Sequence, residues 1–276
     1  MSIDYIETGS FGAPTPVSQQ PPRLQVVSWN IARGSRFDAI REFLININAD
    51  LILLQESDRN CRRTEYRNVA KDLAQILGMH YVFGIEFQEL GQGSRDSPAY
   101  HGQATLSRWP LAEPRILRFR SQSKFWHSHW WIPSLAPFQR RIGGRMALLT
   151  HLVVGNRSLV VYNLHFESRN GSNLRYSQLA ELLENARQYD LNSQVLVAGD
   201  FNFDFTAMPQ NSAVQKAGFE NPFAILSGLS TISSPSRQKR AIDWLLIRGT
   251  ANAQSARVHD SVRASDHSPL VLTLGL

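Results

Sequence analysis

The fold of this protein is indicated most directly by the stretch QVLVAGDFN, residues 194–202. Its apolar residues 195–198 are followed by Gly199 and then by two polar residues that flank Phe201. A short apolar run that ends at a glycine is typical of a buried β-strand. Side chains two positions apart in an extended chain lie on the same side, so Asp200 and Asn202 can reach one ligand while Phe201 points into the core.

Similar short apolar runs recur along the whole chain. They cover residues 24–29, 51–54, 81–87, 103–106, 146–149, 159–164, 195–198, 242–247 and 270–274. The pattern predicts at least nine strands. No linker or internal repeat divides them into separate groups.

Three helices are predicted between the strands, at residues 36–48, 68–77 and 173–189, from apolar residues at helical spacing. A capping box of Ser35 and Asp38 would begin the first helix, and Gly78 would end the second. The third would be capped by residue 172 or 173. Helices among many strands predict an α/β (α+β) protein whose helices pack outside its sheets.

Composition places the chain among ordinary globular proteins, with 276 residues of which 42% are hydrophobic and 19% charged. No apolar run approaches the ~20 residues that a membrane-spanning helix needs, so we expect a soluble protein. We predict one domain over residues 23–276, behind a flexible N-terminal lead-in at residues 1–22. The single Cys61 excludes an internal disulfide, and with no signal-peptide pattern it favours the cytoplasm.

The formal net charge of +6 favours anionic partners such as nucleic acid, phosphoinositide or a membrane surface. Residues 117–144 concentrate aromatic and basic side chains without a regular period, which indicates a loop. Aromatic rings interleaved with cations suit stacking on bases, or peripheral membrane contact. The alternative is that the Trp side chains form a small satellite core under a long insertion.

Polar side chains follow or begin several of the predicted strands, at the edge where open sheets present reactive groups. These side chains belong to Asn30, Glu56, His165, Asp200, Asn202, Asp243, Asp266 and His267. Taken singly, each has an ordinary structural explanation, such as a turn cap, a surface charge or a buried histidine. Together they supply mainly oxygen ligands, which favour a hard cation such as Mg²⁺ or Mn²⁺.

Seven motifs in a fixed order span residues 28–269. They are SWNI (28–31), LLQE (53–56), GQATLSRWP (102–110), NLH (163–165), GDFN (199–202), IDW (242–244) and SDHSP (265–269). This array resembles the endonuclease/exonuclease/phosphatase superfamily, a DNase I-like group that also contains neutral sphingomyelinases and inositol polyphosphate 5-phosphatases. The resemblance implies a four-layered αββα sandwich, with two mixed β-sheets flanked by helices, and Mg²⁺-dependent phosphoester hydrolysis.

The resemblance also implies a role for each matching residue. Glu56 would bind the metal, with Asn30 and Asp266 completing or supporting its coordination. Asp200 would orient or deprotonate the attacking water, and Asn202 would hold a phosphoryl oxygen. His267, its tautomer fixed by Asp243, would bind the phosphate or act as acid or base, and His165 would stabilise charge near the leaving oxygen. These roles suit phosphoryl transfer, which depends on positioning and on neutralising charge.

The predicted function is therefore a metal-dependent phosphoester hydrolase, favoured as a phosphodiesterase acting on nucleic acid. A sphingomyelinase-like phosphodiesterase acting on phospholipid headgroups and an inositol phosphatase are the alternatives within the same chemistry. A non-enzymatic scaffold that binds an anionic partner is an alternative of a different class. Loss of Glu56, Asp200 or His267 would be expected of such a scaffold, and all three residues are present.

Overall fold

Two β-sheets packed face to face carry most of the chain. The computed structural model describes residues 3–12, 23–126, 137–169, 171–204, 213–224, 226, 229–233, 239–250 and 252–275. In chain order the strands are β1 (Ile6–Ser10), β2 (Arg23–Arg33), β3 (Leu51–Arg59), β4 (His80–Glu89), β5 (Ala99–Ser107), β6 (Leu111–Arg118), β7 (Arg141–Gly143), β8 (Met146–Val154), β9 (Arg157–His165), β10 (Gln194–Asp200), β11 (Asp243–Arg248), β12 (Asn252–Val258) and β13 (Leu270–Gly275). The helices are α1 (Phe37–Ile47), α2 (Val69–Leu77), α3 (Ser172–Ala186) and the single turn α4 (Ala213–Lys216).

Both sheets are mixed. Within the described residues the first sheet has eight strands in the order β1-β4-β5-β3-β2-β13-β12, with β7 paired to the end of β4. The second has five strands in the order β11-β10-β9-β8-β6. Only β2 with β3 and β9 with β10 run parallel, so each sheet has one parallel pair among antiparallel neighbours. The carboxyl ends of these four strands meet at one edge of the sandwich.

Alternation along the strands divides the core into layers. Leu51 and Leu53 of β3 lie in the apolar cluster between the sheets, whereas Ile52 and Leu54 lie in the cluster under α1 and α2. On the second sheet, the Tyr162 hydroxyl of β9 donates to α3, at 2.7 Å from Asn185 Oδ1. Helices therefore cover the outer face of each sheet, and the architecture is the predicted αββα sandwich. No helix in the described ranges has both the length and the apolar character needed to cross a bilayer.

All nine predicted strands are present, but four further strands were not predicted. These are β1, β6, β7 and β12, which lie at the edges of the two sheets. Edge strands bury little side-chain surface, and β12 is mostly exposed while β6 contains Pro114, so neither has an apolar run. The prediction of a flexible lead-in over residues 1–22 was wrong at residues 6–10, which form β1 and pair antiparallel with β4. Residues 13–22 lie outside the described residues.

The helix positions were predicted well and two of their caps were not. Helix α1 has Arg36 at its N-cap without a side-chain hydrogen bond, because Ser35 Oγ donates to the Ala32 carbonyl instead. Helix α3 begins after Gly171 without a side-chain cap and ends at Ala186. Gly78 ends α2 as predicted, with the positive φ of 62° that glycine adopts without strain.

A buried amide joins the two sheets where β3 changes direction. The pairing of β3 with β5 shifts register beyond Leu54, and Glu56 has a left-handed φ of 54°. Asn163 of β9 donates from Nδ2 to the carbonyls of Leu54 (3.1 Å) and Ala104 (2.9 Å), and its Oδ1 accepts from Gln55 Nε2 (2.8 Å). Because buried carbonyls need donors, this amide stabilises the break that turns Glu56 toward the sheet edge.

A buried ion pair forms a second connection between the sheets. Arg145, the residue just before β8, donates from Nη1 to Glu86 Oε1 of β4 at 2.7 Å. Both side chains are almost fully buried. Burial alone would raise the pKa of Glu86, but the charges of Arg145 and His165 outweigh it and lower the pKa to about 2.

We expect Asn163→Ala to lower the free energy of unfolding by about 3 kcal/mol, because two buried carbonyls lose their donor. Urea denaturation measures this change. Asn192→Ala, in an exposed loop, is the control and should change stability by less than about 0.5 kcal/mol. Equal stabilities of the two variants would show that the amide does not hold the sheets together.

We expect Glu86→Gln to lower the free energy of unfolding at pH 6 by about 3 kcal/mol, the value of a carboxyl pKa lowered from 4.5 to about 2. Since the folded-state pKa of Glu86 lies below its unfolded value, the stabilisation by the Glu86 carboxylate is present above pH 4.5 and is lost as the pH falls toward 2. Denaturant unfolding at a series of pH values should show the difference shrinking to less than half at about pH 3.

The control for this titration is Glu184→Gln, an exposed position on α3 that pairs with Arg187. Its effect should stay below about 0.5 kcal/mol throughout. A Glu86→Gln difference that does not change with pH would contradict the lowered pKa.

Candidate active site

One cleft of about 530 Å³ lies at the sheet edge where β2, β3, β9 and β10 end and β11 begins. The sequence-predicted residues that line it are Glu56, His165, Asp200, Asn202, Asp266 and His267. The other two, Asn30 and Asp243, are buried directly behind it. The structure therefore brings all eight predicted residues together from six separate parts of the chain.

Asn30 connects the two carboxylates of the cleft. Its Nδ2 lies 3.3 Å from Glu56 Oε1 and 3.1 Å from Asp200 Oδ2. Its Oδ1 accepts the Ala32 backbone N–H at 3.1 Å. In this arrangement the Asn30 amide supports the carboxylates, while its own oxygen is occupied by the backbone.

Asp200 occupies the centre of the cleft floor. Besides Asn30, its Oδ2 has His165 Nε2 at 3.6 Å and His267 Nε2 at 3.8 Å. Its Oδ1 accepts the Asn202 backbone N–H at 2.9 Å, and Asn202 Nδ2 donates to the Phe166 carbonyl at 3.1 Å. The left-handed φ of 56° at Asn202 forms the tight turn that returns this side chain to the cleft.

His267 is oriented by Asp243. Its Nδ1 lies 2.8 Å from Asp243 Oδ2, so its Nε2 faces Asp200 and the cleft. The Trp29 indole N–H donates to the His267 carbonyl at 2.8 Å and fixes the backbone. Burial would lower the pKa of His267, but the carboxylates of Asp243 and Asp200 outweigh it and raise the pKa to about 10. The two carboxylates therefore favour the protonated imidazolium form of His267.

His165 stands between two carboxylates, with Nδ1 3.5 Å from Glu86 Oε2 and Nε2 facing Asp200. Glu86 was not identified from the sequence. The signal that could have found it is a carboxylate between Ile85 and Phe87 in a predicted buried strand, since a buried charge requires a partner. Arg145 is that partner and also donates to Ser168 Oγ at 2.9 Å.

The cleft fits a divalent cation. In the described part of the chain, neither Glu56 nor Asp200 forms an ion pair with Lys or Arg. Burial opposes ionisation of Glu56, but His101, His165 and Arg33 hold its pKa well below the usual range. A carboxylate that stays ionised is the ligand type that Mg²⁺ and Mn²⁺ prefer, and Glu56 is such a group.

The atoms of Asp200, Asp243 and His267 also lie within 4.8 Å of one another and form a second possible ligand group. The hydrogen bond between Asp243 and His267 Nδ1 already occupies atoms of both side chains. Glu56 lies outside that hydrogen bond and is held by the Asn30 amide, and Asp266 lines the same cleft. The Glu56 carboxylate is therefore the better candidate for a cation ligand.

The aromatic residues of the segment 117–144 divide into two groups. Phe119 and Trp126 are buried, and the Trp126 indole donates to Glu167 at 2.8 Å, which agrees with the satellite-core interpretation. Phe125 and Phe138 are exposed. Trp130 and Trp131 lie outside the described residues.

Solved structures of other proteins share this fold. An endonuclease/exonuclease/phosphatase from Beutenbergia cavernae superimposes with a TM-score of 0.66 at 18% identity, covering 92% of this chain and 72% of that one. A family protein from Bacteroides thetaiotaomicron gives 0.63 at 18% identity, covering 93% and 98%. TDP2 from Caenorhabditis elegans gives 0.62 at 15% identity, covering 95% and 77%.

A search of curated proteins by sequence found no match. The sequence model of the Endonuclease/Exonuclease/phosphatase family, in contrast, matches residues 27–267. This range contains every motif residue of the cleft described above. The chain therefore belongs to the endonuclease/exonuclease/phosphatase family.

Proposed function

We propose that this protein is a divalent-metal-dependent phosphodiesterase that acts on nucleic acid. The observation that carries the proposal is the cleft in which Asp200 lies between Asn30, His165 and His267, with Glu56 beside it. Asp200 can position a water, and the side chains around it can neutralise the charge of a phosphoryl group. These are the two requirements of phosphoryl transfer.

Asp200 is the group that orients the attacking water and accepts its proton. It is almost completely buried, and its Oδ2 is held by the Asn30 amide at 3.1 Å. The His267 imidazolium lies 3.8 Å away and is anchored by Asp243 on its far side. It places a positive charge and an N–H donor where a phosphoryl oxygen develops negative charge.

Glu56 and Asp266 are the carboxylates that would hold the cation, which we expect to be Mg²⁺ or Mn²⁺. When bound, such an ion neutralises phosphoryl oxygens and polarises the phosphorus–oxygen bond. Asn30 fixes Glu56 by its amide hydrogen bond. The left-handed backbone at Glu56 directs this carboxylate away from the regular strand.

His165 and Asn202 complete the polar surface around the phosphate. His165 has Glu86 3.5 Å from its Nδ1, and its Nε2 faces the cleft, where it can form a hydrogen bond to the leaving oxygen. The Asn202 amide donates one hydrogen to Phe166 and retains a second donor for a phosphoryl oxygen.

Nucleic acid is favoured by the charge around the cleft. Arg33, Arg36, Arg240 and Arg263 are exposed residues that line it. A rim of arginines attracts a chain of phosphates on both sides of the one being cleaved. A phospholipid headgroup and an inositol phosphate remain the alternative substrates, and both are included as arms of the test.

We expect Asp200→Asn to lower kcat on a single-stranded oligonucleotide about 10³-fold in the presence of Mg²⁺, because the proton acceptor is lost. EDTA should abolish activity of the wild-type protein. Asp190→Asn, at an exposed position after α3, is the matched control and should retain full activity.

The same proteins are assayed on double-stranded DNA, sphingomyelin vesicles and inositol trisphosphate. Turnover of vesicles or inositol trisphosphate alone would overturn nucleic acid as the substrate. Unchanged metal-dependent turnover in Asp200→Asn would overturn the mechanism.

We expect Glu56→Gln to raise the concentration of Mn²⁺ needed for half-saturation at least tenfold, since a carboxylate ligand is lost. Calorimetric titration with Mn²⁺ in the absence of substrate measures this directly. Glu65→Gln, at an exposed position in the following turn, is the control. A larger effect of Asp243→Asn than of Glu56→Gln would instead assign the ion to the group formed by Asp200, Asp243 and His267.

A further inference from the structure

A second cleft of about 600 Å³ opens directly beside the candidate active site. The two clefts share Arg33, Glu56, His165 and Ser168. A group bound in the second cleft would therefore touch the same Glu56 and His165 as the scissile phosphate. The eight predicted site residues account for only these two of its lining side chains.

The second cleft is strongly cationic. Its charged lining residues, apart from His165, are Arg33, Arg63, Arg140, Arg141, Arg145, Arg169, Glu56 and Glu89. Six arginines and two carboxylates line the cleft, and two of these arginines, Arg63 and Arg145, pair with Asp58 and Glu86 outside the lining. Part of this charge is structural, because Glu89 pairs with Arg63 (3.3 Å) and Arg141 (2.6 Å).

Three of the arginines are exposed and unpaired. Within the described ranges, Arg33, Arg140 and Arg169 form no salt bridge with a carboxylate. Arg140 is held through its backbone, since its carbonyl accepts the Leu90 N–H at 2.9 Å. Arg169 is held by its side chain, with the guanidinium carbon 4.0 Å above the Phe125 ring centroid. The Arg169 guanidinium is thus positioned by an aromatic ring, and none of the three guanidinium groups is neutralised by an ion pair in the described part of the chain.

The occupant that this arrangement fits is a phosphate group. A stacked base is a poorer fit, because the Arg169 guanidinium lies over Phe125 and Trp126 is buried. Guanidinium groups bind phosphate by paired hydrogen bonds, which makes arginine well suited to this ligand.

We propose that Arg33, Arg140 and Arg169 bind a second phosphate of the substrate, the one next to the phosphate that is cleaved. This proposal rests on the proposed function and specifies its substrate as a chain with at least two phosphates. A terminal nucleotide with a free phosphate, or the next phosphate of a longer strand, supplies this group. The cleft thereby selects nucleic acid over isolated diesters.

Two kinds of substrate test the subsite with Mg²⁺ present. Bis(4-nitrophenyl) phosphate has one phosphate, and a thymidine dinucleotide is used with and without an added phosphate at its 5′ or its 3′ end. We expect the added phosphate to raise kcat/KM of the wild-type protein about tenfold at one of the two ends. The double variant Arg140→Gln/Arg169→Gln should lose this gain, so its kcat/KM falls about tenfold more for that dinucleotide than for the simple diester.

Arg157→Gln is the matched control, because Arg157 is exposed and lies at the opposite end of β9 from His165, about 26 Å away along the strand. It should keep the full gain. No gain from either terminal phosphate, or a gain that survives in the double variant, would overturn the subsite. Absence of metal-dependent turnover on every substrate would instead overturn the proposed function.

Binding in EDTA tests the subsite independently of catalysis. Anisotropy of a labelled single-stranded oligonucleotide is measured across a salt series. The Arg140→Gln/Arg169→Gln variant loses two phosphate contacts, so its plot of log K against log salt should be less steep than that of the wild-type protein by about 1.4. An unchanged slope overturns the proposal. Stronger competition by inositol trisphosphate than by the phosphorylated dinucleotide would overturn a nucleotide as the source of the phosphate.

Discussion

The position of the Glu56 carboxylate depends on one break in strand β3. A left-handed backbone at a non-glycine residue costs about 1–3 kcal/mol and persists only where the surroundings hold it. Here Asn163 of the opposite sheet satisfies the Leu54 and Ala104 carbonyls, so the break is stabilised by the sheet that carries His165. The hydrogen bonds of Asn163 that join the two sheets therefore also fix the position of the Glu56 carboxylate.

Buried charge explains how this edge of the sandwich orients its histidines. Glu86 is neutralised by Arg145, and Asp243 is neutralised by His267, so both carboxylates serve to orient a histidine. Glu56 and Asp200 form no ion pair with a described Lys or Arg residue, and Asp200 faces His165 and His267 instead. Carboxylates in a cleft repel an anionic ligand, so a scaffold that only bound anions would not need Glu56 and Asp200 there. Their charge is useful where a divalent cation joins the protein to a phosphate.

The elements that were predicted from the sequence are those whose side chains are buried. Strand β10 and its Asp200–Asn202 pair could be predicted because a fully buried strand is apolar and its polar ends are conspicuous. The edge strand β12 and the Ser35 cap could not, since exposure relaxes the pattern and local backbone contacts decide the ends. Glu86 was missed because pairing with Arg145 joins residues 59 positions apart. Buried ion pairs of this kind depend on the assembled sheets and leave only a weak local signal.

Reaction chemistry and substrate choice differ in how far they can be predicted. The residues proposed to carry the reaction lie at strand ends within short motifs, so their spacing is constrained by the sheet that presents them. The arginines of the second cleft come from three unrelated places: the end of β2, the residue before β7 and the segment after β9. Arginine is common on protein surfaces, so no spacing distinguishes these three from the others. What distinguishes them is that they face one cavity and form no ion pair with any described carboxylate, and this property exists only in the folded chain.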